Sequence, residues 1–239
     1  PFSYSSPDAY VQTNVTGTLN VLQSARRHSV EHLVCTSTSE TYGTAQFVPI
    51  SESHPLNAQS PYAATKVASD QMALAFHRSF NMPVSILRPF NTFGPFQSEK
   101  AIIPEMIIKC LQNKEIKTTG GKQTREFNYI DNVVDGILFL NKKIKHNIQP
   151  INVGNNKPIS IKDLVKKIHA FTNSSSKLKI GSLKYRPNEI WKMQANNKFI
   201  ISKGWKPKIS FDDGLKRTIA WYRKFSRHYL DKNRFFKNL

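Results

Sequence analysis

The stretch His32-Leu33-Val34-Cys35, running into Ser37-Thr38-Ser39-Glu40-Thr41-Tyr42-Gly43, decides the fold. Its apolar half has the length of a strand. Its polar half then sets hydroxyls and a carboxylate at the strand's C-terminal end, where open α/β sheets bind ligands. Further on, Tyr62-Ala63-Ala64-Thr65-Lys66 follows Pro61, a residue suited to the first turn of a helix. Residues four apart share a helix face. Lys66 is therefore expected beside the Tyr62 phenol, where its charge would stabilise a phenolate base at neutral pH.

Working outward, apolar spacing predicts a helix over residues 8–27, with residues 1–6 as the end of a loop. A strand at 32–37, a helix at 61–80 and a strand at 83–87 give the alternation of a parallel sheet. Helices are also expected over 101–112, 132–141, 160–171 (with Ser160 as cap) and 212–225. Short extended segments fall at 116–119 and 150–153. Ser174-Ser175-Ser176 and the segment 227–239 read as mobile. The last helix carries Trp221 and Phe225 against Lys216, Arg217, Arg223 and Lys224, the pattern of an element that closes a domain and shows water its basic side.

Among 239 residues, 39% are apolar and 15 are Phe, enough for a substantial core. No apolar run has the roughly 20 residues needed to span a bilayer. The net charge of +19 could serve nucleic acid or an anionic membrane. The lysines are scattered, however, and neither partner is expected. Two cysteines without companion spacing, Cys35 and Cys110, suggest free thiols in a reducing cytoplasm. No cluster has metal-ligand spacing, and no histidine completes a hydrolytic triad.

Taken together with Arg88-Pro89-Phe90-Asn91-Thr92-Phe93-Gly94-Pro95, the two opening motifs resemble the extended short-chain dehydrogenases/reductases, the NAD-dependent epimerase/dehydratase family. Within it the chain is most similar to nucleotide-sugar 4,6-dehydratases, and nearest to the UDP-N-acetylglucosamine enzymes of the legionaminic-acid type. The resemblance implies a doubly wound, Rossmann-type parallel sheet with a small α/β substrate domain. Residues 1–95 and 124–154 would form the NAD-binding part, 96–123 and 155–226 the nucleotide-sugar part, and 227–239 a basic tail. It also implies a homodimer through the helices at 8–27 and 61–80.

The same resemblance implies roles. Tyr62, aided by Thr38 and Lys66, would take the proton of the sugar 4-hydroxyl as C4 loses hydride to NAD. Glu40 would then remove the C5 proton before water leaves from C6. A 4-epimerase needs no carboxylate at that position, so Glu40 separates the two activities. Ser39 stands where glucose-nucleotide dehydratases carry an acidic Asp, and it cannot protonate the leaving hydroxyl. Glu40 could return its own proton there, and the identity of the acid is left open. Ser37, Pro89 and Asn14 match cofactor-side positions; Asn91, Arg125 and Arg186 match positions that contact the substrate diphosphate, a task suited to the arginine fork.

One family feature is missing. The glycine-rich strand–turn–helix that cradles a dinucleotide pyrophosphate does not occur in the sequence, and Gly120-Gly121 is not followed by a helix of the right kind. We therefore expect a partial Rossmann sheet without its first strands. A UDP-sugar 4-epimerase and a non-catalytic remnant that binds a nucleotide-sugar or a partner chain are the alternative readings.

Overall fold

The computed structural model describes residues 2–144, 149–185 and 189–230, with side chains to residue 225. In chain order the first elements are helices α1 (Phe2–Ser5), α2 (Pro7–Tyr10) and α3 (Gly17–Arg27), strand β1 (Leu33–Thr36), helix α4 (Pro61–Phe80) and strands β2 (Val84–Pro89) and β3 (Thr92–Phe93). There follow α5 (Ile102–Leu111), β4 (Ile116–Thr118), β5 (Thr124–Glu126), β6 (Asn128–Tyr129), α6 (Ile130–Lys143), β7 (Ile151–Val153) and β8 (Pro158–Ser160). The chain ends with α7 (Ile161–Thr172), β9 (Leu178–Ile180), β10 (Lys192–Met193), α8 (Lys198–Ser202) and α9 (Phe211–Leu230).

The organising sheet is parallel, in the order β1-β2-β7, with Leu33 opposite Val84 and Leu87 opposite Ile151. Successive side chains of a strand point to opposite faces, and β2 uses both. Val84 and Ile86 join Leu22, Ala73 and Phe76 under α3 and α4. Leu87 joins Val133, Leu140, Ile151 and Trp205 on the other face, where α6 and α8 pack. Coverage on both faces is why β2 is continuously buried from Val84 to Arg88. Among the described residues, no strand pairs with the second edge of β1.

A second core sits between α5, α7 and α9, around Ile107, Leu164, Ile168, Leu215 and Tyr222. The small sheet β10-β5-β8 joins it to the first. Helix α7 starts where the sequence places its cap: the Ser160 hydroxyl accepts from the Asp163 N–H at 3.0 Å and donates to the Asp163 carboxylate at 2.6 Å. No described helix is long and apolar enough to cross a membrane.

Three expectations are corrected. Residues 2–5 form a helical turn and not a loop. The helix expected at 8–27 contains a π-helical segment, Val11–Thr16. There the Ser69 hydroxyl on α4 donates to the Asn14 carbonyl at 2.6 Å, and the Asn14 amide donates to Thr65 at 2.9 Å. Bonds from a neighbouring helix compete with the helix's own ladder and favour the wider turn. Third, Ser174–Ser176 is tied down: Ser174 donates to the Cys110 carbonyl at 2.8 Å, and the Ser175 N–H reaches Asn113 at 3.0 Å. Helix α9 also runs to Leu230, past the expected start of the tail; residues 231–239 lie outside the described residues.

Candidate active site

Strand β1 ends at Thr36, and the chain then turns into a 3-10 helix over Ser39–Tyr42. Thr38 caps it, its hydroxyl accepting from the Glu40 N–H at 3.3 Å. Gly43 follows with φ +65°, and a Cβ there would collide with the Asn57 carbonyl, so only glycine lets the 53–60 segment close on this turn. Tyr42 is fully buried and donates to Asn152 at 2.7 Å on β7, anchoring the turn to the sheet.

Helix α4 brings up the second motif. Ser60 caps it, with the Ala63 N–H donating to its hydroxyl at 3.1 Å. The Tyr62 phenol lies near the Thr38 side chain, and its ring meets Tyr10 edge-on at 5.8 Å. Burial raises the phenol above its ordinary value, Thr38 opposes that shift, and Glu40 and Tyr10 add to it. The Lys66 ammonium, one helical turn beyond Tyr62, donates to the Thr36 carbonyl at 2.5 Å. Burial lowers the Lys66 ammonium, and Asp70, one turn further on, opposes this. Asp70 is itself buried in a 2.8 Å ion pair with Arg88 of β2.

A cavity of about 600 Å³ opens beside this pair of motifs. Four expected residues line it: Ser39, Glu40, Asn91 and Arg125. Glu40 is exposed at the cavity, and partial loss of hydration there raises its carboxyl above the usual range. Arg125 pairs with Glu189 at 3.2 Å, with both side chains largely buried. Thr38, Tyr62, Lys66 and Ser37 stand beside the cavity at the end of β1 and the start of α4. Asn14 reaches the site only through Thr65, and Pro89 ends β2 against Val153. Arg186 lies outside the described residues.

Tyr4, Gln59, Glu189 and Met193 also line the cavity and were not anticipated. They are brought in by tertiary packing, and no local pattern marks them.

The family model described as GDP-mannose 4,6 dehydratase matches residues 1–218. This chain belongs to the NAD-dependent epimerase/dehydratase family. It is 31% identical over 221 residues to human dTDP-D-glucose 4,6-dehydratase, covering 90% of this chain and 63% of that protein. It is 32% identical over 226 residues to a UDP-glucuronate 4-epimerase of Thermodesulfobacterium geofontis, covering 93% of this chain and 68% of the relative. Among solved structures, the UDP-N-acetylglucosamine 4-epimerase of Methanobrevibacter ruminantium superposes with a TM-score of 0.88 at 27% identity, covering 94% of this chain and 73% of that one. This family member thus spans about two thirds of the curated relatives' length, and its relatives include both dehydratases and epimerases.

Proposed function

We propose that the chain carries the catalytic wall of an NAD-dependent nucleotide-sugar 4,6-dehydratase that converts UDP-N-acetylglucosamine to its 4-keto-6-deoxy sugar. It would act in the cytoplasm as a homodimer, in the synthesis of a surface glycan. The observation that carries this reading is Glu40: a carboxylate in the same cavity as Arg125 and Asn91, close to Thr38 and Tyr62.

The residues present fit one end of NAD. Tyr62, Lys66 and Ser37 stand at the C-terminal edge of a parallel strand, the position such sheets offer a cofactor, and would hold its nicotinamide ribose. Bound NAD supplies hydride acceptance and return. Tyr62 would take the proton of the sugar 4-hydroxyl, with the Thr38 side chain favouring the phenolate. Once C4 is a ketone, its α-proton at C5 is acidic, and Glu40 would remove it as general base. The raised value of Glu40 lets it also return a proton to the departing C6 hydroxyl. Arg125 and Asn91 fix the diphosphate end, the guanidinium through paired hydrogen bonds.

A 4-epimerase is the second reading, favoured by the epimerases among the relatives. It uses Tyr62 and Thr38 and leaves Glu40 without a task. A non-catalytic nucleotide-sugar binder is the alternative of another class, and it leaves Tyr62 without one as well. Mass spectrometry of UDP-N-acetylglucosamine incubated with the protein and NAD separates the three. A product lighter by one water is expected. An isomer of unchanged mass with C4 inverted would overturn the dehydratase, and unchanged substrate would support the binder.

A further inference from the structure

Glu126, next to Arg125 on β5, is completely buried, and among the described residues no cation perturbs it. Its carboxylate is surrounded by N–H donors from three segments: Ala195 at 2.6 Å, Asn155 at 3.1 Å and the Asn128 amide at 3.3 Å. The charged side chains on the same elements face elsewhere. Arg125 is turned to Glu189, while Lys157 and Lys192 are exposed. The fit is tight: a Cβ on Gly154 would collide with this carboxylate and approach Ala195 Cβ to 2.6 Å.

What these contacts hold is the diphosphate end of the cavity. The Glu126 carbonyl accepts from the Asn91 amide at 3.3 Å, and Arg125 is the preceding residue. Ala195 follows Met193, which lines the cavity. Asn197, beyond it, donates to the Gly154 carbonyl at 2.7 Å. One buried carboxylate therefore joins β5, the end of β7 and the segment after β10.

We infer that Glu126 is a positioning residue for nucleotide-sugar binding, its carboxylate locking the strand that carries Arg125 to the segment that continues its neighbour β10 through Asn197. This rests on the nucleotide-sugar reading of the cavity. A buried carboxylate suits the task because one acceptor group satisfies several fixed donors at once. Burial raises Glu126 to about 7, against those donors. Protonation relieves the buried charge but turns one acceptor into a donor that faces N–H groups. The lock therefore loosens as pH falls through neutrality.

The test is calorimetric titration of UDP-N-acetylglucosamine, whose diphosphate diester does not titrate near neutrality, against wild type, Glu126→Gln and Glu126→Asp between pH 6 and 8. Wild-type affinity is expected to weaken about tenfold toward pH 6. Glu126→Gln should bind about tenfold more weakly at pH 8, with no pH dependence, and Glu126→Asp should recover the slope. Wild-type binding with Glu126→Gln equal to it at every pH would overturn the inference alone. No wild-type binding would overturn the reading of the cavity itself. Should Glu126→Gln melt at the assay temperature, Glu126→Asp decides: a flat pH profile in that variant overturns the inference.

Discussion

The Thr38 side chain holds the Tyr62 phenol down, against burial and the Glu40 charge, which raise it. A reaction that needs the phenolate speeds up as pH rises through the phenol's value. Removing Thr38 raises that value, so Thr38→Val should move the rising limb of the kcat–pH profile to higher pH, read by stopped-time product assays across pH. Tyr62→Phe should cost roughly 10²- to 10⁴-fold in kcat, the usual worth of a positioned acid or base, without changing the melting temperature much. Arg125→Ala removes a charge-assisted contact worth about 1.5–3 kcal/mol, and should raise the Kd for UDP-N-acetylglucosamine about 10- to 100-fold. Glu126 also governs stability. Its value is raised from 4.5 to about 7 in the fold, so the native state binds the proton more tightly than the unfolded chain. Its contribution is therefore fully present below about pH 4.5 and lost as pH rises through 7, by at most about 3 kcal/mol. Urea titrations of wild type should show that slope, and Glu126→Gln should flatten it.

Helix α4 carries Tyr62, Lys66, Thr65 and Asp70, and its hold on the sheet decides whether they meet the β1 turn. The Asp70–Arg88 pair is the inner fastening, each side chain 2% exposed. Breaking such a pair leaves a buried charge alone, and Asp70→Asn should cost about 3–5 kcal/mol in chemical denaturation. A loss below about 1 kcal/mol would show that α4 is held by apolar packing alone. This helix was legible to the residue, because Ser60 and Pro61 are strong start signals and Asn81 takes the left-handed conformation that ends it. Strands β5 and β6 were not, since two or three residues show no periodicity. The π segment was invisible for another reason: Thr65 and Ser69, far along the chain, impose it. The site divides the same way. Glu40 and Tyr62 stand in recognisable local patterns, whereas Tyr4 and Glu189 reach the cavity through packing. Glu126 reads locally as a surface carboxylate and is identified only by the donors around it.

At the scale of the molecule, two features remain outside the site. The second edge of β1 meets no described strand, and Val11, Val21 and Phe80 on the helices beside it are exposed. Open edges and exposed apolar side chains favour association. If the proposed homodimer packs along these helices, Val21→Lys should shift its sedimentation toward monomer; an unchanged value would contradict that packing. The charge of +19 gives any anionic substrate a favourable approach, so the association rate for UDP-N-acetylglucosamine should fall as salt rises while the dissociation rate changes little.

In the dehydratase reading Glu40, which lines the cavity, removes the C5 proton. Turnover of UDP-N-acetylglucosamine with NAD in heavy water, with the product read by NMR, tests this most directly. A 4-keto-6-deoxy sugar that carries deuterium at C5 is expected from wild type, and no such product from Glu40→Gln. A 4-epimer that keeps its C5 hydrogen would contradict that reading.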